Sequence, residues 1–480
     1  MEHTGVAWSC AQRAQLTALA AAGTLEGASA RRWLRVQGAV VQRLKIFFSI
    51  DYHYADRLPI LLAGLPAVRS ISRLHVRADP DAELPRTAAP IRGLLAGVAR
   101  AVAGCSCLQH LYLAVALAPE LADQLPEAFW RVLAGARALE ELTLCFSALW
   151  VKRRHAPSAG SVTHMVTGLA GLPRLRALSL FCEKVCMEAT LPACMSCLAQ
   201  LTCLSLWGLR SLRGAPGWAR LPSLASLSFG QCWFAGAREA ALPGMDALVS
   251  LTSLEIEECP SLRDLPTALV RLTQLRCIRF DDKRWTEASR LRRTEPPAAG
   301  VPAVCFESLV SLSLGCRNLR AFPAGILAAT SLTQLCLSSC CFGQLPENMG
   351  LLSALQSLQL GRDPAAYRKI GGELDVQALG SLAAFPDLRH LSFADCRVLF
   401  CMNIQAAAAH PRLEMLLLDT SYPAIGASCQ AFLGLVTALR QQGRSKVIAC
   451  LSNCAVEGEG QEDSEKFLAA LASLRNTLRL

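Results

Sequence analysis

The hexad L-x-x-L-x-L recurs along most of this chain, and no other feature of the sequence constrains its fold as tightly. It reads LQHLYL from Leu108, LEELTL from Leu139, LRALSL from Leu175, LTCLSL from Leu201, LASLSF from Leu224, LTSLEI from Leu251 and LRCIRF from Leu275. LVSLSL from Leu309, LTQLCL from Leu332, LQSLQL from Leu355, LRHLSF from Leu388 and LEMLLL from Leu413 continue it. Two looser copies, VQRLKI from Val41 and ISRLHV from Ile71, extend the series toward the N-terminus. The commonest spacing is 23 to 27 residues, and longer gaps read as ordinary units carrying insertions.

A strand alternates its side chains, so the fourth and sixth residues of each hexad share one side. One unit cannot bury those leucines alone. Stacked in parallel about 4.8 Å apart, successive units build a continuous aliphatic spine stabilised by neighbour contacts. Aromatic residues make up only 6 % of a chain that is 52 % hydrophobic, which fits such a spine. Pro266 and Pro346 fall after the strands, where a missing N–H leaves the ladder intact.

The pattern resembles leucine-rich repeat proteins over residues 65–425, with about 13 repeats. Cys232, Cys259, Cys340 and Cys396 at the ninth position resemble the plant-type and intracellular subclasses. So do the apolar-proline steps Leu265-Pro266, Phe322-Pro323 and Leu345-Pro346. The resemblance implies an α/β leucine-rich repeat solenoid, with a curved parallel sheet on the concave face and a helical or irregular convex side. Caps are expected at both ends: a helical segment over 1–64, and a helix-strand-helix over 426–480. In the second, SKVIACL reads as a last strand and DSEKFLAALASLRNTL as a closing helix capped by Asp463 or Ser464.

Composition narrows the function classes. No run of about 18 uncharged apolar residues crosses a membrane, and the N-terminal stretch lacks a signal peptide's basic region. Cytoplasm is the expected location, with nucleus and cytoskeleton or axoneme as alternatives. The 22 cysteines, scattered at apolar positions, then act as free thiols. The net charge of +10 is modest for 480 residues. Basic runs at Arg31, Arg32, Arg35, Arg43 and Lys45, at 152–155 and at 289–293 lack interleaved aromatics, so they read as solvated charge rather than a nucleic-acid site.

No phosphate-binding loop, dinucleotide fingerprint, nucleophile elbow or zinc-protease motif occurs. His110 and His390 are the histidines expected to face outward, and they lie too far apart to share a site. Cys182, Cys186, Cys194 and Cys197 have a zinc-like density, but the repeat demands small apolar groups there, so they read as packing. The chain is read as a non-enzyme without metal or cofactor.

Recognition then belongs to the third, fifth and seventh residues of each unit, which are mostly Ser, Gly, Gln and Cys. Two clusters stand out. Phe181 and Trp207 hold the same position in adjacent units, an exposed aromatic pair of the kind enriched in interfaces. Glu255, Glu257, Arg279 and Asp281 form a charged group further along. Three insertions, beginning near Phe146, Asp281 and Gly361, are expected along one lateral rim, where binding specificity often sits. The leading reading is a protein-interaction scaffold whose partner is not specified by the sequence. The alternative is a substrate receptor of a cullin-type ubiquitin ligase, because SARRWLRVQGAVVQRLKI (29–46) resembles the tail of an F-box; a ligase adaptor would then be a partner.

Overall fold

The structure, a computed structural model, describes residues 43–49, 72–79, 89–117, 127–148, 168–183, 188–190, 197–213, 221–232, 234, 244–259, 269, 271–282, 307–316, 322, 324–337, 346–361, 384–394, 410–419 and 448–452. The chain divides into two compact units, Met1–Leu251 and Thr252–Leu480.

In the first unit the strands are β1 (Arg43–Ser49), β2 (Arg73–Asp79), β3 (His110–Leu117), β4 (Glu141–Ala148), β5 (Ala177–Glu183), β6 (Glu188–Thr190), β7 (Cys203–Trp207), β8 (Arg210–Arg213) and β9 (Ser226–Gly230). The main sheet runs β1-β2-β3-β4-β5-β7-β9, all parallel, while β6 and β8 pair separately. The register matches position to position. Leu74, Leu111, Leu142, Leu178, Leu204 and Leu227 fill the fourth-residue column; Val76, Leu113, Leu144, Leu180, Leu206 and Phe229 fill the sixth. Every one of them is buried.

The backbone repeats the same device from rung to rung. The N–H groups of Glu140 and Glu141 both donate to the Gln109 carbonyl, at 2.8 and 2.9 Å. Arg176 and Ala177 do the same to Glu140, and Thr202 and Cys203 to Arg176. The carbonyl of the second residue therefore anchors the next rung, and the offset between rungs has no freedom to slip.

Interval length decides what roofs the core. The long intervals before β3 and β4 hold α1 (Ala89–Gly104) and α2 (Glu127–Leu133). The alanine-rich α1 buries Leu95, Val98, Ala99 and Val102 at helical spacing, and α2 buries Phe129, Trp130 and Leu133. The described residues of shorter intervals include single turns, such as the 3-10 turn Met245–Ala247, which buries Met245.

The second unit repeats the plan with β10 (Ser253–Glu257), β11 (Cys277–Asp282), β12 (Ser311–Cys316), β13 (Gln334–Leu337), β14 (Ser357–Gly361), β15 (His390–Ala394), β16 (Met415–Asp419) and β17 (Ile448–Ser452), successive strands pairing in parallel. Leu254, Ile278, Leu312, Leu335, Leu358 and Leu391 form its fourth-residue column, all buried. Pro346, at φ −66°, leads into the 3-10 turn Glu347–Leu351, as its ring geometry favours. Buried His410 stands where other repeats place an apolar residue. Its Nδ1 lies 3.3 Å from the Arg412 N–H and accepts from it, which leaves Nε2–H to donate to the Phe385 carbonyl at 2.9 Å.

Both units are thus stacks of leucine-rich repeats, and the fold class is the leucine-rich repeat solenoid read from the sequence. The edges differ in detail. The looser copy at Val41 supplies β1, so the sheet begins inside the segment expected to be a helical cap; residues 1–42 and 50–64 lie outside the described residues. The F-box-like segment is likewise undescribed until Arg43, where it enters β1. SKVIACL contributes β17, paired with β16, whereas the flanking helices and the Asp463 or Ser464 cap fall outside the described residues. Nearly all of the three rim insertions does too.

Cysteine serves this core as a small hydrophobe. Cys232 is buried at the ninth position, its thiol 3.3 Å from the carbonyls of Leu206 and Gly230. Cys259, also buried, donates to the Glu257 carbonyl at 3.4 Å. Cys182 is buried in β5 and Cys197 is exposed, both as free thiols; Cys186 and Cys194 lie outside the described residues. Burial, helped by neighbouring Cys232 and Cys145, pushes the Cys182 thiol up to about 12 from 9.0. An acid held protonated by the fold costs nothing below its unfolded value and lowers stability above it. Stability should therefore fall as pH rises from 9.0 toward about 12, by about 1.4 kcal/mol per pH unit for this one group. Cys182→Ala should remove that share of the alkaline slope in urea titrations, despite a lower midpoint at neutral pH. Equal slopes in the two proteins would refute the assignment.

Candidate interaction face

The side of the sheet away from the spine follows the strand alternation. On β7 and β10 the third, fifth and seventh residues are half-buried while the fourth and sixth are buried. The seventh position varies among rungs. Phe181, Trp207 and Glu257 are half-buried, yet Gly230, Asp281, Gly315 and Gly361 are buried. At Gly230 and Asp281 a turn at the eighth residue of the preceding rung contributes. Gly208, Gln231 and Glu258 turn there with φ of 76°, 51° and 52°. The N–H of Gly208 then donates to the Gly230 carbonyl at 2.7 Å, and that of Glu258 to the Asp281 carbonyl at 2.5 Å. Each of these two turns closes over the seventh residue of the following rung. Asp281, expected as an outward contact residue, is only 6 % exposed for this reason.

Phe181 and Trp207 are brought together as expected. They are register partners on β5 and β7, with ring centroids 6.0 Å apart and planes inclined by 31°. What the sequence reading missed is the seat beneath the indole. Trp207 is in register with Gly230, and a Cβ on that glycine would meet the indole Cε3 at 1.9 Å. The ring packs directly against bare backbone. A glycine at the seventh position one repeat after a tryptophan at the same position is the signal that marks it.

The stripe continues toward the N-terminal strands. Cys145 is the register partner of Phe181, and its thiol donates to Tyr112 Oη at 3.3 Å. Tyr112 in turn stacks on His75, with centroids 4.0 Å apart. The intervening fifth residues Ser179, Ser205 and Ser228 are small, so the neighbouring strand positions leave the aromatic pair uncrowded. Stiff aromatics on a rigid sheet offer contact area at low entropic cost, which is the chemistry of an interface anchor.

In the second unit Arg279 lies between two carboxylates, 3.5 Å from Glu255 and 3.0 Å from Glu257. Register explains it: Glu255 faces Arg279 and Glu257 faces Asp281 on β10 and β11. Two carboxylates share one guanidinium, so this group of three carries a formal negative charge. The Arg279 side chain is 48 % exposed, and such pairs contribute about 0–1 kcal/mol. Arg279→Ala should accordingly change the stability of the chain by less than about 1 kcal/mol, measured as a shift in urea midpoint.

Among the described residues no group of His, Cys, Asp or Glu is arranged to hold a metal ion. His110 Nδ1 meets Glu141 Oε2 at 2.6 Å on neighbouring strands. An open hollow of about 500 Å³ lies beside the start of β4, β5 and β7, lined by Glu140, Pro173, Arg174, Arg176 and Gln200.

No protein-family model matches this sequence, and no curated protein sequence matches it. Solved structures do match. An internalin from Listeria monocytogenes aligns over 80 % of this chain and 82 % of its own, at 14 % identity and a TM-score of 0.39. A leucine-rich repeat protein from Leptospira interrogans aligns over 75 % and 97 %, at 15 % identity and a TM-score of 0.35. The leucine-rich repeat ectodomain of a plant membrane receptor kinase from Arabidopsis thaliana aligns over 89 % of this chain and 55 % of its own, at 14 % identity and a TM-score of 0.35.

Proposed function

We propose that this chain is a non-enzymatic interaction scaffold that recognises a protein partner through the solvent side of its repeat sheet. The observation that carries this reading is the Phe181–Trp207 pair. It is a preformed apolar anchor held on a glycine seat among serines, and core packing does not require it. A face of short polar side chains around one aromatic centre fits the anatomy of a protein interface, an apolar core with a polar rim. The acid-rich cluster around Arg279 adds electrostatic selectivity in the second unit, favouring a basic patch on the partner.

The compartment we propose is the reducing cytoplasm. Cys105, Cys107, Cys145, Cys182, Cys197, Cys203, Cys232, Cys259, Cys277 and Cys336 are all free thiols, and burial rather than pairing explains several of them.

Affinity capture with the intact chain, followed by direct titration of the captured partner, tests the interface. Trp207→Ala should weaken binding by about tenfold to a hundredfold, the range of an interface hot spot. Glu257→Lys should reduce the association rate and its salt dependence more than the dissociation rate. A partner bound equally well by wild type and both variants would remove this face from consideration and direct attention to the rim insertions.

A further inference from the structure

The hollow beside the start of β4, β5 and β7 lies off the outward face of the sheet, on the edge where each rung begins. Arg174 and Arg176 line it together with Glu140, Gln200 and Pro173. Leu175, between the two arginines, is 1 % exposed, while both arginines are exposed. The spine residue is thus fixed in the core and the two cationic side chains on either side of it are left outside. Backbone bonds hold this edge from both sides. The Arg176 N–H donates to the Glu140 carbonyl at 2.8 Å. The Arg176 carbonyl accepts from the N–H groups of Thr202 and Cys203, at 2.8 and 2.9 Å, and from the Thr202 hydroxyl at 3.1 Å. The stem of Arg176 therefore rises from backbone that is tied to the rungs before and after it.

The charge on this edge is not neutralised within the fold. From Cys107 to Ala225, the residue before each hexad and the second residue within it are uncharged apart from Arg174, Arg176 and Glu140. Exposed Arg137, two residues before Leu139, adds a cation one rung back. Among the described residues no ion pair engages the side chains of Arg174, Arg176 or Glu140. Glu141, next in the chain, belongs to the outward face, where His110 engages it at 2.6 Å.

We infer that this hollow binds a phosphorylated serine or threonine of a partner polypeptide. Two guanidiniums on one hollow suit an oxyanion. A single carboxylate fills the fork of one arginine. A phosphate ester carries about two negative charges and three strong acceptor oxygens, enough to share between both. The Gln200 amide adds a neutral donor. Glu140, the one acid in the lining, favours a ligand that brings a hydrogen-bond donor beside its anion. The backbone N–H of a phosphorylated residue is such a donor, whereas a free phosphate dianion brings none and meets Glu140 as a like charge. At about 500 Å³ the hollow is large enough for the phosphorylated side chain, and being open it lets the rest of the partner run past. The site shares no residue with the Phe181–Trp207 anchor of the proposed function, and either can fail without the other.

The test uses the full chain and a short fluorescently labelled peptide of glycine and alanine with phosphoserine at its centre, titrated by anisotropy. The same peptide with serine or glutamate at the centre, and inorganic phosphate as a competitor, serve as comparisons. The expected result is saturable binding of the phosphopeptide, none of the serine peptide, and an affinity for the glutamate peptide lower by about tenfold or more. Arg174→Gln combined with Arg176→Gln should weaken the phosphopeptide by about tenfold or more, the worth of the charge-assisted bonds removed. Both side chains are exposed, so the urea midpoint of this variant should hold. Should the pair misfold, Arg176→Gln alone makes the same comparison. Arg276→Gln should leave binding unchanged, because Arg276 holds the same repeat position in the other unit but follows Gln274 instead of an arginine. Equal binding of the serine or glutamate peptide, displacement by inorganic phosphate at the phosphopeptide's own dissociation constant, or unchanged affinity in the folded variants would each overturn the inference.

Discussion

Replacing Gly208 by valine should lower the stability of this protein by about 3–5 kcal/mol, through left-handed strain plus overpacking. The residue turns the chain at φ 76°, where a β-branched side chain is strongly disfavoured. A Cβ there would also meet the Cys182 carbonyl oxygen at 2.1 Å. That oxygen is backbone in the preceding rung and cannot rotate away. Moving it would disturb β5, and moving Gly208 would break the 2.7 Å bond from its N–H to the Gly230 carbonyl. The comparison with Glu258 isolates the cause. Glu258 holds the equivalent eighth position at φ 52° with a full side chain, so the conformation alone is tolerated. Gly208→Val should therefore lower the urea midpoint sharply, while Glu258→Gly shifts it by about 1 kcal/mol or less. Similar small shifts in both variants would show that the rung contact is not the determinant.

Leu335→Ala should cost about 2–5 kcal/mol, and Leu254→Ala a similar amount. Leu335 is 1 % exposed and Leu254 fully buried, each in the fourth-residue column of the second unit. In many cores a truncation is partly relieved by collapse of the surroundings. Here the rung spacing is set independently by the backbone. Thr333 and Gln334 donate to the Val310 carbonyl at 2.9 and 3.1 Å, and Gln356 and Ser357 to the Thr333 carbonyl at 2.8 and 2.9 Å. The strands cannot close on the cavity without breaking these bonds, so the loss should fall in the upper part of the range. Because each repeat is supported only by its neighbours, the damage should also be local. Hydrogen exchange should accelerate first in β12, β13 and β14, with β16 and β17 less affected. Gln334→Ala, on the opposite side of the same strand, should change stability by about 0.5 kcal/mol or less. Uniform exchange across the unit would contradict the neighbour-by-neighbour picture.

Much of this was legible from one hexad. The fourth and sixth columns, the strand positions and the pairing of Phe181 with Trp207 all follow from period-two alternation repeated in register; the repeat also placed the buried Cys232 and Cys259, whereas Cys340 and Cys396 lie outside the described residues. Glu255 and Glu257 beside Arg279 follow in the same way. Asp281 did not. It satisfies the alternation that makes Arg279 an outward residue, yet the turn of the preceding rung closes over it. Gly230 was equally opaque, since its role is to be absent beneath a side chain belonging to another repeat. The β6–β8 pair, formed on segments that the repeat pattern leaves unassigned, had no signal in hydrophobic spacing at all.

The amino-acid sequence by itself determined the repeating object: parallel strands on an aliphatic spine, with no recognised catalytic motif written into it. It could do so because every rung solves the same burial problem, and a solution repeated many times leaves an unmistakable period. The tertiary structure alone decided which outward positions remain open, where Trp207 rests, and that Arg174 and Arg176 share one hollow with Glu140 and Gln200. Those outcomes depend on how one rung is offset against the next, and an offset is a relation between distant residues that no single repeat contains.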